Sequence, residues 1–218
     1  MYVSDPLYVK QRKSMVEKQL KGRGIKDENV LHVMGEIPRE LFVPDHLKDD
    51  VYSDTALPIG NGQTISQPYV VAYMTEMLNL KGDEKVLEIG TGFGYQAAIL
   101  SKLSKEVYTI ERIPELAEEA KRRFDILEIK NIKVFVKDGT EGLEEYAPFD
   151  RVIVTAAAPD IPPPLMSQLS EEGVLIAPVG DYLSQNILKI MKKDGKISKE
   201  LLLPVIFVPL IGSYGMNR

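Results

Sequence analysis

Residues 86–100 read VLEIGTGFGYQAAIL, an apolar run that passes into three alternate glycines and then into small, helix-compatible residues. Val86 to Ile89 has the composition of a buried strand, Gly90-Thr91-Gly92-Phe93-Gly94 forms the turn, and Ala97, Ala98, Leu100 and Leu103 give the following helix one apolar face. Glycine is used where the backbone must turn sharply and admit a ligand without a Cβ in the way. The first N–H groups of the helix then point at whatever anionic group that ligand presents. Strand, glycine turn and helix in this order predict a nucleotide-cofactor site in an α/β protein.

Spacing narrows the cofactor. The dinucleotide fingerprint Gly-x-Gly-x-x-Gly/Ala requires a third small residue for close packing of helix on strand. Tyr95 stands at that position, so the match fails. Read from Glu88 as E-x-G-x-G-x-G, the segment instead suits a smaller anion beside an adenosyl group, the way S-adenosylmethionine presents its methionine carboxylate. Glu111 ends the next apolar strand, Val107 to Ile110, about 20 residues further on and placed to accept from ribose hydroxyls. A third strand, Ile132 to Val136, ends at Asp138-Gly139, where an adenine amino group would lie next to the ribose.

Length and composition bound the rest. At 218 residues the chain suits one domain with appendages. The expected division is an N-terminal part, residues 1–80, of helices and an active-site loop packed on a cofactor-binding core, residues 81–218. The net charge of −5 carries no basic footprint for nucleic acid. No apolar run approaches the roughly 20 residues that cross a bilayer, and the opening MYVSDPLYVKQRK has no apolar signal core. The expectation is a cytoplasmic protein with neither nucleic-acid nor membrane partners. The absence of cysteine removes thiolate catalysis and Cys-based metal sites. His32 and His46 lack a second histidine at helical spacing, so no metal is expected.

Along the chain, residues 8–22 read as a charged amphipathic helix ending at Gly22-Arg23-Gly24, and Asp27 as the cap of a second helix through Met34. Residues 43–67 are too rich in turn formers for regular structure and read as a long functional loop. Pro68 to Leu80 reads as a helix, with the loop serine Ser66 as an alternative cap for it. After the cofactor strand the pattern alternates: a helix from Glu115 to Phe124, strands 132–136, 150–155 and 174–178, and a short helix 164–169. Alternation argues for a doubly wound, mostly parallel sheet with helices on both faces. Segments 187–191 and 201–210 flank Lys192-Lys193-Asp194-Gly195, a hairpin signal, so the sheet is expected to end in antiparallel strands.

The end of the fourth strand bears on the reaction. It reads Thr155-Ala156-Ala157-Ala158-Pro159, and nothing in that run can take a proton. Amino methylation of a base needs an acceptor there, and C5 methylation of cytosine needs a cysteine. A carboxylate nucleophile fits, because with a reference pKa near 4 it is already ionised at neutral pH and needs only orientation and exclusion of water.

Asp54-Thr55-Ala56-Leu57-Pro58-Ile59-Gly60, Gly62-Gln63-Thr64-Ile65-Ser66-Gln67-Pro68, LEIGTGFGYQAA, DGTEG from Asp138, APFDRVIVTAAAP and FVPL at Phe207 to Leu210 together resemble the protein-L-isoaspartate O-methyltransferases over roughly residues 12–215. The resemblance implies a Rossmann-like methyltransferase sheet and a repair activity. A methyl group passes from S-adenosyl-L-methionine to the free α-carboxylate of isoaspartyl residues in damaged proteins and peptides, with S-adenosyl-L-homocysteine as product and no metal, and the ester then collapses through a succinimide. It implies Ser66 as the active-site hydroxyl, with Thr64 beside it in the substrate loop, and Gln67, Gly90, Thr91, Gly92, Glu111, Asp138 and Gly139 as donor contacts; Ile59, Val208 and Leu210 are read as the acceptor wall, with packing in the core as the alternative for them. A nicotinamide-dependent oxidoreductase, a non-catalytic adenosyl-binding module and an RNA methyltransferase remain the competing classes.

Overall fold

The computed structural model describes residues 2–216. Its centre is a seven-stranded sheet of order β5-β4-β3-β6-β7-β8-β9. The strands are β3 (Lys85–Ile89), β4 (Glu106–Glu111), β5 (Ile132–Val136), β6 (Phe149–Val154), β7 (Leu169–Gly180), β8 (Gln185–Lys193) and β9 (Lys196–Val205). The pairs β5–β4, β4–β3, β3–β6 and β6–β7 are parallel, whereas β7–β8 and β8–β9 are antiparallel. The doubly wound sheet with antiparallel C-terminal strands is therefore as expected. Strand order reverses at β3, which opens a crevice at the carboxyl ends of β3 and β6.

Side chains alternate across the sheet and define two cores. Val86, Val107, Ile153 and Ile176 face one way, towards α1 (Pro6–Met15), α2 (Glu28–Glu36), α3 (Pro68–Met77), α4 (Tyr95–Leu103) and α5 (Pro114–Ile126). Leu87, Ile110, Val152 and Leu175 face the other way, towards α6 (Pro163–Ser167) and short turns. Helices thus cover both faces, but unequally. The first core also joins the N-terminal residues Met15, Leu20, Met34 and Phe42 to Tyr95 and Leu100 of the cofactor helix. Full burial of one such side chain contributes roughly 1.5–3 kcal/mol. Among the described residues no helix is long and apolar enough to cross a membrane.

Local chemistry sets the element ends. Asp27 caps α2 by accepting from the N–H groups of Asn29 and Val30, at 2.9 and 3.2 Å. The first helix runs from Pro6 through wider and tighter turns to Arg23, where Gly24 at φ 99° ends it. The α3 helix stops at Met77, earlier than read, because Asn79 turns left-handed at φ 53°.

Three expectations need correction. Residues 43–67 are not irregular throughout: Asp45–Asp50 forms a helical turn, and β1 (Leu57–Gly60) pairs antiparallel with β2 (Gln63–Ile65). The Asn61-Gly62 link, at φ 51° and 70°, makes the tight turn whose twist suits a two-residue hairpin. The last strand spans Lys196–Val205 rather than 201–210. Residues 208–210 leave the edge and clasp the end of β6, Val208 accepting from the Ala157 N–H and the Leu210 N–H donating to Ala157. Ser66 does not cap α3, since Gln67 holds that position without a side-chain cap bond.

Candidate active site: adjoining donor and acceptor cavities

The glycine turn packs where β3, β4 and β6 end. Gly90 has φ 99°, and a Cβ there would lie 2.4 Å from Thr155 Oγ1, so no other residue fits without displacing the β6 end. Thr155 answers by donating its hydroxyl to the Gly90 carbonyl at 2.7 Å. Its Oγ1 is thereby committed as a donor, in keeping with a strand end that takes no proton. Gly94, at φ 95°, caps α4, and a Cβ there would meet the Phe124 ring of α5 at 2.5 Å. Its glycine serves helix packing.

The three acidic strand-end positions differ in what they hold. Glu111 is buried and accepts from the Gly92 N–H at 2.9 Å and from the Ile113 N–H at 3.0 Å, tying the glycine turn to β4. Asp138 accepts from the Thr140 N–H at 2.8 Å and from the Ser213 N–H at 2.7 Å. Burial pushes its pKa up, but these bonds outweigh burial and hold it below the ordinary value. Glu88, within β3, is fully buried; burial raises its pKa to about 8. It accepts from Thr109, whose hydroxyl lies 2.7 Å from that of Thr91, while its Oε1 is buried without a hydrogen-bond partner.

Three cavities adjoin around this turn. Ile89, Gly90, Ile110, Glu111, Gly139 and Leu210 line one at the strand ends. Ile59, Thr64, Ser66, Gly90, Thr91, Gly92, Tyr95 and Thr155 line the next, under the β1–β2 hairpin. A third, of about 280 Å³, lies between Arg23, Asp54, Ser66, Gln67 and Tyr69 on one side and Leu203 to Phe207 on the other. Gly90 is common to the first two, and Thr64 and Ser66 are common to the last two. The first two make the candidate donor compartment and the third the candidate acceptor groove.

These residues fit an adenosyl donor. Gly90 and Gly92 line the cavity with backbone alone, and a Cβ at Gly139 would meet Ile89 Cγ2 at 2.5 Å. Glu111 stands at the strand end, and the buried carboxyl of Glu88 lies beneath the turn with one oxygen unspent. When bound, S-adenosylmethionine supplies a methyl group carried on a sulfonium. No cluster of three or more His, Cys, Asp or Glu arranged to hold a metal occurs among the described residues.

Not every residue named from sequence lies where its role was expected. Gly90, Thr91, Gly92, Glu111 and Gly139 come together in the donor compartment, and Asp138, next to Gly139 after β5, is bonded to the C-terminal tail at Ser213. Gln67 faces the acceptor groove, its amide donating to the Asp54 carbonyl at 2.9 Å. Ile59 and Leu210 line donor cavities, and Val208 packs against the second core; the groove's C-terminal wall is instead Leu203 to Phe207. Thr155, Tyr95 and Asp54 also line these cavities, although the sequence assigned them no contact role. Glu88 carried a signal, a lone carboxylate inside a four-residue apolar run.

A sequence profile described as protein-L-isoaspartate(D-aspartate) O-methyltransferase matches residues 10–215. A protein-L-isoaspartate O-methyltransferase from Dictyoglomus turgidum is 57% identical over 210 residues, covering 96% of this chain and 95% of the relative. One from Methanoculleus marisnigri is 49% identical over 206 residues, 94% of each chain. A solved protein-L-isoaspartate O-methyltransferase superposes with a TM-score of 0.84 at 31% identity, over 94% of this chain and 67% of that one. A Plasmodium falciparum structure described under the same activity, in complex with S-adenosyl-L-homocysteine, gives a TM-score of 0.80 at 30% identity, over 92% and 98%. With the profile spanning nearly its whole length, the chain belongs to the protein-L-isoaspartate(D-aspartate) O-methyltransferase family.

Proposed function

We propose that the chain esterifies the free α-carboxylate of L-isoaspartyl residues in damaged proteins and peptides, with S-adenosyl-L-methionine as donor and S-adenosyl-L-homocysteine as product, and that Ser66 touches the acceptor. The observation that carries the assignment of roles is the shared wall: Thr64 and Ser66 line both the donor compartment and the acceptor groove. A group that must meet the methyl has to pass that wall.

An acceptor carboxylate needs no base. Ser66 Oγ, which bonds no other described residue, would donate to one carboxylate oxygen and leave the second free to face the donor. Thr64 bounds the same passage. The wall's work is orientation and exclusion of water, and near-attack alignment accounts for on the order of 7–11 kcal/mol of barrier lowering in well-oriented systems. Glu111 serves the donor ribose, Gly90, Thr91 and Gly92 its methionine part, and Asp138 with Gly139 its adenine edge. Gln67 acts on the groove side through Asp54. Residues 1–80 act as the acceptor-side cover and 81–218 as the donor-binding core. The acidic balance, net −5, favours a polypeptide acceptor over a nucleic acid.

In an isoaspartyl residue the chain runs through the side-chain carbonyl, so the α-carboxylate stands free on a short arm that the groove can admit. The test is transfer of labelled methyl to matched isoaspartyl and aspartyl peptides of several sequences. Transfer confined to the isoaspartyl isomers is expected, and equal rates on both isomers would overturn the substrate assignment.

A further inference from the structure

Arg39 is a cation that the roles above leave without a task. It sits in the single turn Arg39–Phe42, is wholly buried, and lines none of the three cavities. Its Nε donates to the Val51 carbonyl at 2.9 Å and its Nη2 to the Ser66 carbonyl at 2.8 Å. The Tyr95 ring lies under the guanidinium at 4.9 Å, and Nη1 is buried with no hydrogen-bond partner.

Among the described residues no carboxylate pairs with this charge. The adjacent Glu40 is taken by Arg12, at 3.4 Å, and by the Tyr52 hydroxyl. Asp54 is taken by Arg23, and its other oxygen is buried without a partner. Burial pulls the Arg39 pKa down, yet a guanidinium stays protonated in proteins. A buried charge with no bonded counter-charge is among the most unfavourable arrangements a fold can contain. An apolar side chain of similar volume would fill the space without that penalty. What the charge faces is the main chain of Ser66 on one side and, through Tyr95, the donor compartment on the other, with Tyr52 and the Asp54 carboxylate near it but not bonded to it.

We infer that Arg39 is a positioning residue for the transfer: its guanidinium pins the Ser66 carbonyl, so that the wall between the two cavities keeps one conformation, and its unpaired positive charge draws the acceptor carboxylate to that wall. Lysine would keep the charge but not the planar fork that holds the Val51 and Ser66 carbonyls at once. The two halves of the inference are therefore separable by substitution. The inference rests on the methyl-transfer reading above, so the parent protein is scored first; its failure on an isoaspartyl peptide would remove that reading rather than this one.

The experiment compares Arg39→Met and Arg39→Lys with the parent at a temperature where circular dichroism shows all three folded. It measures kcat and KM on one isoaspartyl peptide at saturating S-adenosylmethionine, and donor affinity by calorimetry. Arg39→Met is expected to raise KM about tenfold, and to lower kcat about a hundredfold, the scale of a 1 Å misplacement. Arg39→Lys is expected to restore KM to within about threefold while kcat stays depressed at least about tenfold, as for one lost charged hydrogen bond. Donor affinity should hold within about threefold in both. Parent-like kcat and KM in Arg39→Met would overturn the inference, as would a KM in Arg39→Lys no better than in Arg39→Met. A loss of donor affinity matching the loss of kcat would reduce Arg39 to a structural clasp. If Arg39→Met does not fold, Arg39→Lys decides alone: either a parent-like kcat or a tenfold rise in KM overturns the inference.

Discussion

On the donor side, Gly90, Gly92, Glu111 and Thr155 meet through the ends of neighbouring parallel strands, and each is placed by the strand it terminates or follows. On the acceptor side, Ser66, Gln67 and Asp54 are held by side chains reaching across 13 to 31 residues of sequence: Gln67 to Asp54, Arg39 to Ser66 and Arg23 to Asp54. One half is fixed by sheet topology, the other by a few long polar ties. Substitutions on the donor side should therefore act on folding and donor affinity together. Those on the acceptor side should act on turnover with the donor still bound.

The largest effect is expected at Gly90. Alanine there must adopt a left-handed backbone, about 1–2 kcal/mol, and press its Cβ against Thr155, about 1–3 kcal/mol. Thermal melting of Gly90→Ala should fall by roughly 5–20 °C, with donor binding lost. An unchanged melting temperature would mean that the turn is not constrained as described.

Glu111→Ala should come next. Charged hydrogen bonds contribute roughly 1.5–3 kcal/mol, so donor affinity should weaken about ten- to a hundredfold. The KM for the peptide at saturating donor should stay within about twofold of the parent. A shifted peptide KM would break the separation of the two sides.

Ser66→Ala sits on the other half of the comparison. Calorimetric donor affinity should be unchanged, while kcat falls about tenfold to a hundredfold for loss of a hydrogen bond to a carboxylate. The profile of kcat/KM against pH should keep the parent's shape, flat from neutrality down to the titration of the substrate carboxylate near pH ~4. His32 is largely exposed beside Glu36, remote from the cavity linings. A limb near pH 6.5 that vanishes in His32→Ala or His46→Ala would establish a general base and overturn orientation as the mechanism.

The smallest effect belongs to Asp138, where the donor floor meets the C-terminal tail. Asp138→Asn keeps the acceptor oxygen but loses its charge, at about 0.5–1.5 kcal/mol. Because the folded pKa lies below the ordinary 3.8, the stabilising contribution is present above that value and fades as pH falls through the folded pKa. Urea midpoints of parent and variant should therefore differ at neutral pH and converge in acid. A constant difference would place the loss in packing.

The same division decided what the sequence could reveal. The β3 run at 86–89 was legible because a strand buried on both faces of a parallel sheet is a near-continuous apolar run, and β5, an edge strand with no buried residue, by its β-branched and aromatic residues. The β1–β2 hairpin has only four and three residues, too short for a period, although Asn61-Gly62 was the available signal. Strand β9 is an edge whose first half is exposed on both faces, so Lys196 to Glu200 shows no apolar signature and the eye moves to the apolar run after it. In the candidate site, the glycine turn and Glu111 could be read from local order alone. Ser66 emerged from family likeness, and Arg39 not at all, since Pro38-Arg39-Glu40 looks like a solvated turn until Val51 and Ser66 are folded against it.

The wall formed by Thr64 and Ser66 also makes the two cavities one thermodynamic system. Any shift of that wall on filling one side is a free-energy term in filling the other, and linkage requires the term to be mutual. A peptide that tightens its groove around an isoaspartyl arm must tighten the hold on the donor by the same factor. The spent donor and the methyl ester no longer carry the sulfonium and carboxylate charges, so the share of the coupling that those charges supply is absent from the product complex. Methyl transfer thereby lowers the hold of each product on the other's cavity relative to that of the two substrates.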